Sequence, residues 1–422
     1  MDTLYILGSI LILIFFAWNL YSIPALVAGF RNLTRKKNRP SKPLKTDQSK
    51  LPFVSVIVPA KNEEKVIGRL LGCLLNFNYP KSKMEIIVVD DNSIDKTCKI
   101  CKEIANNHPD QIKIIRRLKS STKAGALNYG LKFAKGDIIA TFDADSLPES
   151  DGILNAIEYF NDSKVAGVQG TIYSSNSEEN MLTKFISLER SLQYQVYQNG
   201  KDNLGLFVSL NGTCQFIKKS VLEEMEGWNE KNLAEDMELS LRLAEKNYKI
   251  KYALDVKTHE ESPNNLSGMI KQRTRWFRGN IENMVKFGRL LKNPANKVRL
   301  DAEIQLFGNL IAVLCVLNYV MAYWTFTLSA NQFLVIIMSI TSFLTILVLA
   351  LAGLSMMIVS KPFKITNILW LPFIYGYWAL QSFIAINALI LILIRRPIKW
   401  NKTKRSGIIT SKEAQNTIFH TN

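Results

Sequence analysis

The chain has 422 residues, 47% of them hydrophobic and 21% charged, with a formal net charge of +17. Its five cysteines and three histidines (His108, His259, His420) are too few and too scattered for a disulfide framework or a histidine-based metal site or triad. The basic excess lies beside apolar segments rather than in a separate basic domain, which argues against nucleic acid as a partner.

Residues 4–30 form an apolar run longer than the roughly 20 residues a bilayer crossing takes. Its charges follow rather than precede it, and no small-residue cleavage pattern stands out. The run is therefore expected to be a retained transmembrane anchor (1–30) with the N-terminus outside, followed by a basic cytoplasmic linker (31–50).

Residues 51–260 alternate strand-like and helix-like stretches. FVSVIVP (53–59), MEIIVVD (84–90), 112–116 and DIIATF (137–142) are short β-branched runs, with helix-like segments such as 63–76 between them. The pattern predicts an α/β domain whose mostly parallel sheet is covered on both faces, and in such sheets ligands sit beyond the carboxyl ends of the strands. Cys98 and Cys101 form a lone C-x-x-C inside a helix-like run, which suits packing better than zinc or redox chemistry.

A basic amphipathic segment occupies 261–300, and three apolar segments follow (304–328, 333–360 and 365–394) in a C-terminal membrane region, 301–395. Three simple crossings would put the basic tail, 396–422, outside, against the positive-inside tendency. Pro372 and Gly376 interrupt the last segment, and a re-entrant or broken helix there would bring the tail back inside.

The second strand ends in Asp90-Asp91-Asn92-Ser93 and the fourth in Asp143-Ala144-Asp145, so both acidic groups fall on one edge of the sheet. Carboxylates one residue apart just past a strand can hold a hard divalent cation that bridges nucleotide phosphates, and they equally suit solvated turns capping the next helix. Glu235-Asp236 opens another helix-like run, 237–246, as acids favoured by the helix dipole or as a general base for a hydroxyl. Gln272, Arg275 and Trp276 stand at i, i+3 and i+4 on one helical face. An arginine forks onto phosphate oxygens and an indole stacks on a sugar ring, though both residue types also anchor helices in the headgroup layer.

In this order (D, D-x-D, E-D and Q-x-x-R-W between flanking membrane segments) the set resembles the processive, inverting family-two glycosyltransferases, which include cellulose, hyaluronan and poly-N-acetylglucosamine synthases. The likeness covers residues 50–300 by motif and nearly the whole chain by architecture. It implies a nucleotide-sugar-binding GT-A (Rossmann-like) domain flanked by transmembrane helices, and Mg2+ or Mn2+ as cofactor.

Carried over residue by residue, the resemblance implies that Pro59 and Glu63 line the nucleotide cleft, that Asp91 contacts the base and that Lys123 lies beside the diphosphate. Asp143 and Asp145 would face nucleotide and metal, with Asp145 in direct coordination. Asp236 would be the base with Glu235 on the acceptor side, Gln272 and Arg275 would engage the diphosphate, and Trp276 would contact the acceptor sugar. Asn211-Gly212-Thr213-Cys214 resembles an acceptor-side motif but departs from its aromatic-Cys-Gly-Ser order. The tail segment WNKTKRSG (400–407) is similar to a W-x-x-T/S-x-R-x-G ending of poly-N-acetylglucosamine-type synthases, which implies a place near the active-site mouth and an inside tail.

The resemblance thus implies inverting transfer from a nucleotide sugar, a UDP-sugar first, to the non-reducing end of a growing β-linked N-acetylglucosamine- or glucose-type polymer, with coupled translocation. The alternative is transfer of a single sugar to a membrane lipid, as in relatives resembling ceramide glucosyltransferases. A sensor or transporter that binds the nucleotide sugar without turnover is a third reading. The implied setting is the cell membrane, multi-pass, with a cytoplasmic catalytic domain. Implied partners are a nucleotide-sugar donor, a glycan or lipid acceptor and membrane lipids, with room for an accessory membrane subunit.

Overall fold

A computed structural model of the chain describes residues 2–36, 50–118, 122–292, 296–327, 332–360, 365–396 and 405–419. The basic linker at 37–49, the tail residues 397–404 and His420 lie outside the described residues.

Among the described residues the central domain is built on one eight-stranded sheet of order β3-β2-β1-β4-β7-β6-β8-β5. Its strands are β1 (Val54–Ala60), β2 (Met84–Asp90), β3 (Ile112–Arg116), β4 (Ile138–Thr141), β5 (Leu147–Pro148), β6 (Val165–Ser174), β7 (Gln215–Lys218) and β8 (Lys249–Glu260). The block β3-β2-β1-β4 is parallel throughout. Alternate residues of β1 feed two cores. Val54, Val56 and Val58 pack with Ile67, Leu70 and Leu74 of α2 (Ile67–Leu75) and Cys101 of α3 (Thr97–Asn107). Ile57 packs with Leu127 of α4 (Lys123–Leu131) and with Leu239 and Leu243 of α9 (Glu235–Glu245). This two-sided cover is why the strands read as unbroken apolar runs. Cys101 is a core residue, and the five cysteines are all free.

The other half of the sheet is mixed. β7 runs antiparallel to both β4 and β6, β6 and β8 are parallel, and β5 is antiparallel to β8. The sheet as a whole is thus less parallel than the alternation of strands and helices suggests, because β5 and β7, with two and four residues, carry no such signal.

Among the described residues four helices are long and apolar enough to cross a membrane, over Ile6–Leu33, Lys297–Asn318, Val335–Val359 and Ile365–Leu393. They belong to α1 (Asp2–Lys36), α11 (Lys297–Thr327), α12 (Gln332–Val359) and α13 (Leu371–Leu393), the last preceded by a 3-10 turn, Ile365–Trp370. Two expectations are corrected here. Pro372 does not break the last segment but sits in the first turn of α13, where its missing N–H has no helical partner to lose, and the helix continues through Gly376. The amphipathic stretch is not one unit to residue 300: α10 (Leu266–Phe287) ends in a 3-10 turn, Gly288–Lys292, and α11 begins at Lys297.

Small residues let α1 close on its neighbours. A Cβ at Gly29 would fall 1.9 Å from the Val196 carbonyl oxygen, and one at Gly308 of α11 would fall 2.6 Å from the Trp18 ring. Asn19 donates to Thr345 of α12 at 2.8 Å. Lys201, on the short helix α7 (Asn199–Asn203), is fully buried and pairs with Asp301 at 2.8 Å, while Tyr21 donates to the same carboxylate at 2.7 Å.

The tail returns to the sheet domain. The amides of Thr410 and Ser411 donate to the Ser175 carbonyl at 3.0 and 2.9 Å, and Ala414 of α14 (Lys412–Phe419) is buried with Cys73 and Leu147.

Candidate active site

The carboxyl ends of β1, β2 and β4 lie in register, Ala60 against Asp90 and Ile57 against Thr141, so the acids that follow them open onto one cleft. Pro59, Glu63, Asp91, Lys123, Asp143, Asp145, Glu235, Asp236, Gln272, Arg275 and Trp276 all line it. The structure therefore brings together all eleven of the residues to which the resemblance gives a place in the site. Asn211 and Thr213 of the acceptor-side motif and Arg405 of the tail segment line it too, and the structure adds Arg190, Tyr194 and Glu260.

At one end the two aspartates after β2 separate in role. Asp90 is buried, accepts the Ser93 amide at 3.1 Å and lies 3.4 Å from Arg116. Asp91 faces the cleft beside Arg117, 3.3 Å away. The flanking turns are locked to each other, Asn62 N–H on Ser93 Oγ at 3.0 Å and Ile94 N–H on Asn62 Oδ1 at 2.9 Å, with Asn62 and Asn92 both at positive φ.

Asp143 and Asp145 follow β4. Thr213 Oγ1 accepts the Asp143 amide at 3.1 Å, and Lys123 ion-pairs with Asp143 while donating to the Gly212 carbonyl at 2.9 Å. Burial alone would pull the Lys123 ammonium down, but Asp143, Glu235 and Asp236 more than offset it and hold it above the ordinary lysine range. Asp145 accepts the Glu261 amide at 3.0 Å and meets Arg405 Nη2 at 3.1 Å. Burial raises the Asp145 carboxyl even with that arginine against it. Glu260, closing β8, is pushed up to about 7 by burial and by Asp145 and Asp143.

Among the described residues no three His, Cys, Asp or Glu side chains gather as a metal site on their own. Asp143 and Asp145 nevertheless suit a hard divalent ion. They are carboxylates on the open edge of the sheet, negative enough to draw Lys123 and Arg405 against them. An ion with so few protein ligands completes its shell with water and substrate phosphates, the usual habit of Mg2+.

Glu235 and Asp236 begin α9. Asp236 Oδ1 accepts the Met237 amide at 2.8 Å. Burial raises Asp236 above the ordinary aspartate range against the pull of Lys123, and burial with Asp236 beside it pushes Glu235 to about 7. Gly212, at φ +80°, passes so near that a Cβ there would lie 3.1 Å from both Asp236 Oδ2 and Lys123 Nζ.

The far end is built by α10, whose N-terminus Asn265 caps by accepting the Gly268 amide at 2.9 Å. A Cβ at Gly279 would lie 2.8 Å from Ala234, so α10 packs hard on the start of α9. That contact sets Gln272, Arg275 and Trp276 across the cleft from Asp236. Arg275 Nε is buried without a hydrogen-bond partner among the described residues. The tail also reaches this cleft: Arg405 donates to the Glu261 carbonyl, and the amides of Ser406 and Gly407 grip the two Glu261 carboxylate oxygens at 2.6 and 2.8 Å.

Of the residues the sequence did not single out, Glu260 ends a strand on the same edge as the aspartates and was open to the same rule. Arg190 and Tyr194 sit on α6 (Met181–Ser191) and the π-helical turn after it (Leu192–Gln198), where the sequence gives no such cue.

The family described as "Glycosyltransferase like family 2" matches residues 52–279. A β-monoglucosyldiacylglycerol synthase of Nostoc is 37% identical over 258 residues, 60% of this chain and 55% of that protein. The cellulose synthase catalytic subunit (UDP-forming) of Xanthomonas axonopodis is 31% identical over 301 residues, 68% of this chain and 40% of that one. The chain thus matches about half the length of these relatives. In fold it is similar to the mannosyltransferase PcManGT from Pyrobaculum calidifontis, solved with GDP-Man and Mn2+, with a TM-score of 0.60, 20% identity, and 92% of this chain and 100% of that one covered. The domain has the GT-A glycosyltransferase fold, and the chain belongs to glycosyltransferase-like family 2.

Proposed function

We propose that this chain transfers a sugar, with inversion, from a nucleoside-diphosphate sugar to a hydroxyl presented at the membrane surface. The observation that carries the reading is one cleft lined by Asp143, Asp145 and Lys123, by Asp236, and by Arg275 and Trp276. These are a phosphate-and-metal end, a half-buried carboxylate and an arginine with a stacking ring.

In the proposed step Asp236 takes the proton of the acceptor hydroxyl as its oxygen bonds the anomeric carbon. The bond from that carbon to the diphosphate oxygen breaks, and the nucleoside diphosphate leaves with the electron pair. A single displacement inverts the centre. Lys123 and Arg275 stabilise the charge growing on the leaving group, and fixed charges of this kind are worth on the order of 10²- to 10³-fold in rate. Asp145 and Asp143 would hold Mg2+ or Mn2+, which supplies further positive charge to the diphosphate. Pro59, Glu63 and Asp91 bound the nucleoside end, Gln272 assists Arg275, and Trp276 with Glu235 faces the acceptor.

For the acceptor, a membrane lipid is the reading we favour over a growing, translocated polymer. The Trp18–Gly308 and Asn19–Thr345 contacts pack α1 directly against α11 and α12. The identity to a β-monoglucosyldiacylglycerol synthase points the same way, and the cellulose synthase relative keeps the polymer reading in play. In this reading the chain is multi-pass and its catalytic domain faces the cytoplasm, in keeping with the four helices long and apolar enough to cross a membrane.

The test is nucleoside-diphosphate release by the purified full chain in lipid, with Mg2+ or Mn2+, across UDP- and GDP-sugars. Release from one donor, lost in Asp236→Asn, is expected, and a near-normal mutant would sink the base assignment. Product analysis decides the acceptor: one sugar on extracted lipid supports the lipid reading, and a polymer of many units overturns it.

A further inference from the structure

Away from the cleft, three polar side chains from two helices meet around one carboxylate of a third. Glu189 of α6 ion-pairs with Arg273 of α10. Its Oε2 also accepts Tyr377 Oη at 3.1 Å, and its Oε1 accepts Gln381 Nε2 at 2.7 Å, both from α13. Arg273 Nη2 lies 3.4 Å from Tyr377 Oη, and Arg273 and Glu189 are only 14% and 19% exposed. Such a cluster is costly to bury unless its groups satisfy one another, which fixes their mutual geometry.

Arg273 has a second contact. Its guanidinium carbon lies 4.7 Å from the centre of the Trp276 ring, and Trp276 lines the cleft whereas Arg273, Glu189, Tyr377 and Gln381 do not. The indole is thus held on one side by a cation whose own place is set by α6 and α13. We infer that Arg273 is a positioning residue for the acceptor platform, holding the Trp276 ring through a Glu189 link anchored on α13 by Tyr377 and Gln381. The assignment of Trp276 to the acceptor rests on the function proposed above; the mechanical link does not.

Two measurements on the full chain in lipid nanodiscs separate these. The first needs no activity. With all seven tryptophans replaced by 5-fluorotryptophan, the 19F resonance missing from Trp276→Phe belongs to Trp276. Arg273→Met, Glu189→Gln and Gln381→Leu should each shift that resonance and leave Trp228, buried in the domain core, in place. An unmoved Trp276 signal, or one that moves together with that of Trp228, overturns the link.

The second is kinetic. Arg273→Met should raise the acceptor KM roughly five- to tenfold, the scale of a partly desolvated cation–π contact, with the donor KM and acceptor-independent donor hydrolysis within about twofold. Arg273→Lys, which keeps the charge but loses the fork, should recover part of the loss. In a Trp276→Phe background the Arg273→Met effect should shrink, because changes acting through one contact do not add. Full additivity, or an equal rise in donor KM, overturns the positioning role. A wild type that turns over no donor counts against the proposed function, and the fluorine shifts still decide the link.

Discussion

Arg405 Nη2 stands 3.1 Å from Asp145 Oδ2, so the tail and the end of β4 share one charge pair inside the cleft. The arginine is held there by its bond to the Glu261 carbonyl and by the grip of the next two amides on the Glu261 carboxylate. Arg405→Ala should remove a preorganised cation and leave Asp145 more strongly protonated. We expect kcat/KM for the donor to fall on the order of 10²-fold, with part restored by Arg405→Lys, as read by steady-state kinetics.

Gly212 and Gly72 make opposite predictions for the same substitution. At Gly212 the backbone is at φ +80° and a methyl would press on Asp236 and Lys123 at 3.1 Å. Gly212→Ala should cost about 1–3 kcal/mol of stability and most of the activity. Gly72, inside α2, has nothing within 4 Å of its would-be Cβ, so Gly72→Ala should stabilise by roughly 0.5–1 kcal/mol with turnover unchanged. Melting curves beside turnover check both.

A pH profile should report the Glu235–Asp236 pair. Both carboxyls are raised, Glu235 to about 7, and a general base works only when ionised, so kcat/KM should rise with pH along a limb above the ordinary carboxylate range. The limb belongs to the pair rather than to either acid. Lys123 pulls both acids down, so Lys123→Met should move the limb to higher pH as well as slow the reaction. The sign for stability is the reverse. A raised Glu235 contributes stability that is full below its ordinary 4.5 and is lost as pH rises through about 7. A limb at ordinary carboxylate values would remove Asp236 as the base.

Lys201 and Asp301 pin α7 to the first turns of α11 in a buried setting, 0% and 3% exposed. Lys201→Met leaves a buried carboxylate without its cation and should cost roughly 3–5 kcal/mol, while Lys201→Met with Asp301→Asn should recover much of it. Thermal denaturation of the single and double variants measures the difference.

The parallel half of the fold and its acids were legible because each signal is local: an unbroken apolar run makes a strand, and the polar residue after it lies at the ligand edge. Asp91, Asp143 and Asp145 could be found that way, and Asp236 from its place at the start of a helix-like run. Arg190 and Tyr194 could not, since a helical residue shows its cleft-facing side only once its helix is packed. The order of β7 between β4 and β6 was equally hidden, because a four-residue strand carries no orientation of its own. The turn at Gly212 shows how far a motif departure can be read: Asn211 and Thr213 line the cleft despite the unusual order, and the glycine supplies the positive φ.

The docked tail also constrains how the chain can be threaded through a bilayer. Lys297 opens α11 while donating to the Leu204 carbonyl, and Arg405 ends in the cleft, so the stretch between them starts and finishes on one domain. Any flat barrier that leaves this domain on one side is traversed an even number of times between those two residues. Among the described residues three apolar helices lie in the interval, so at least one of them begins and ends on the same face. The ends of α13 meet that condition: Trp370 just before it packs on Phe185 of α6, and the Arg396 carbonyl just after it accepts Arg278 of α10 at 2.7 Å.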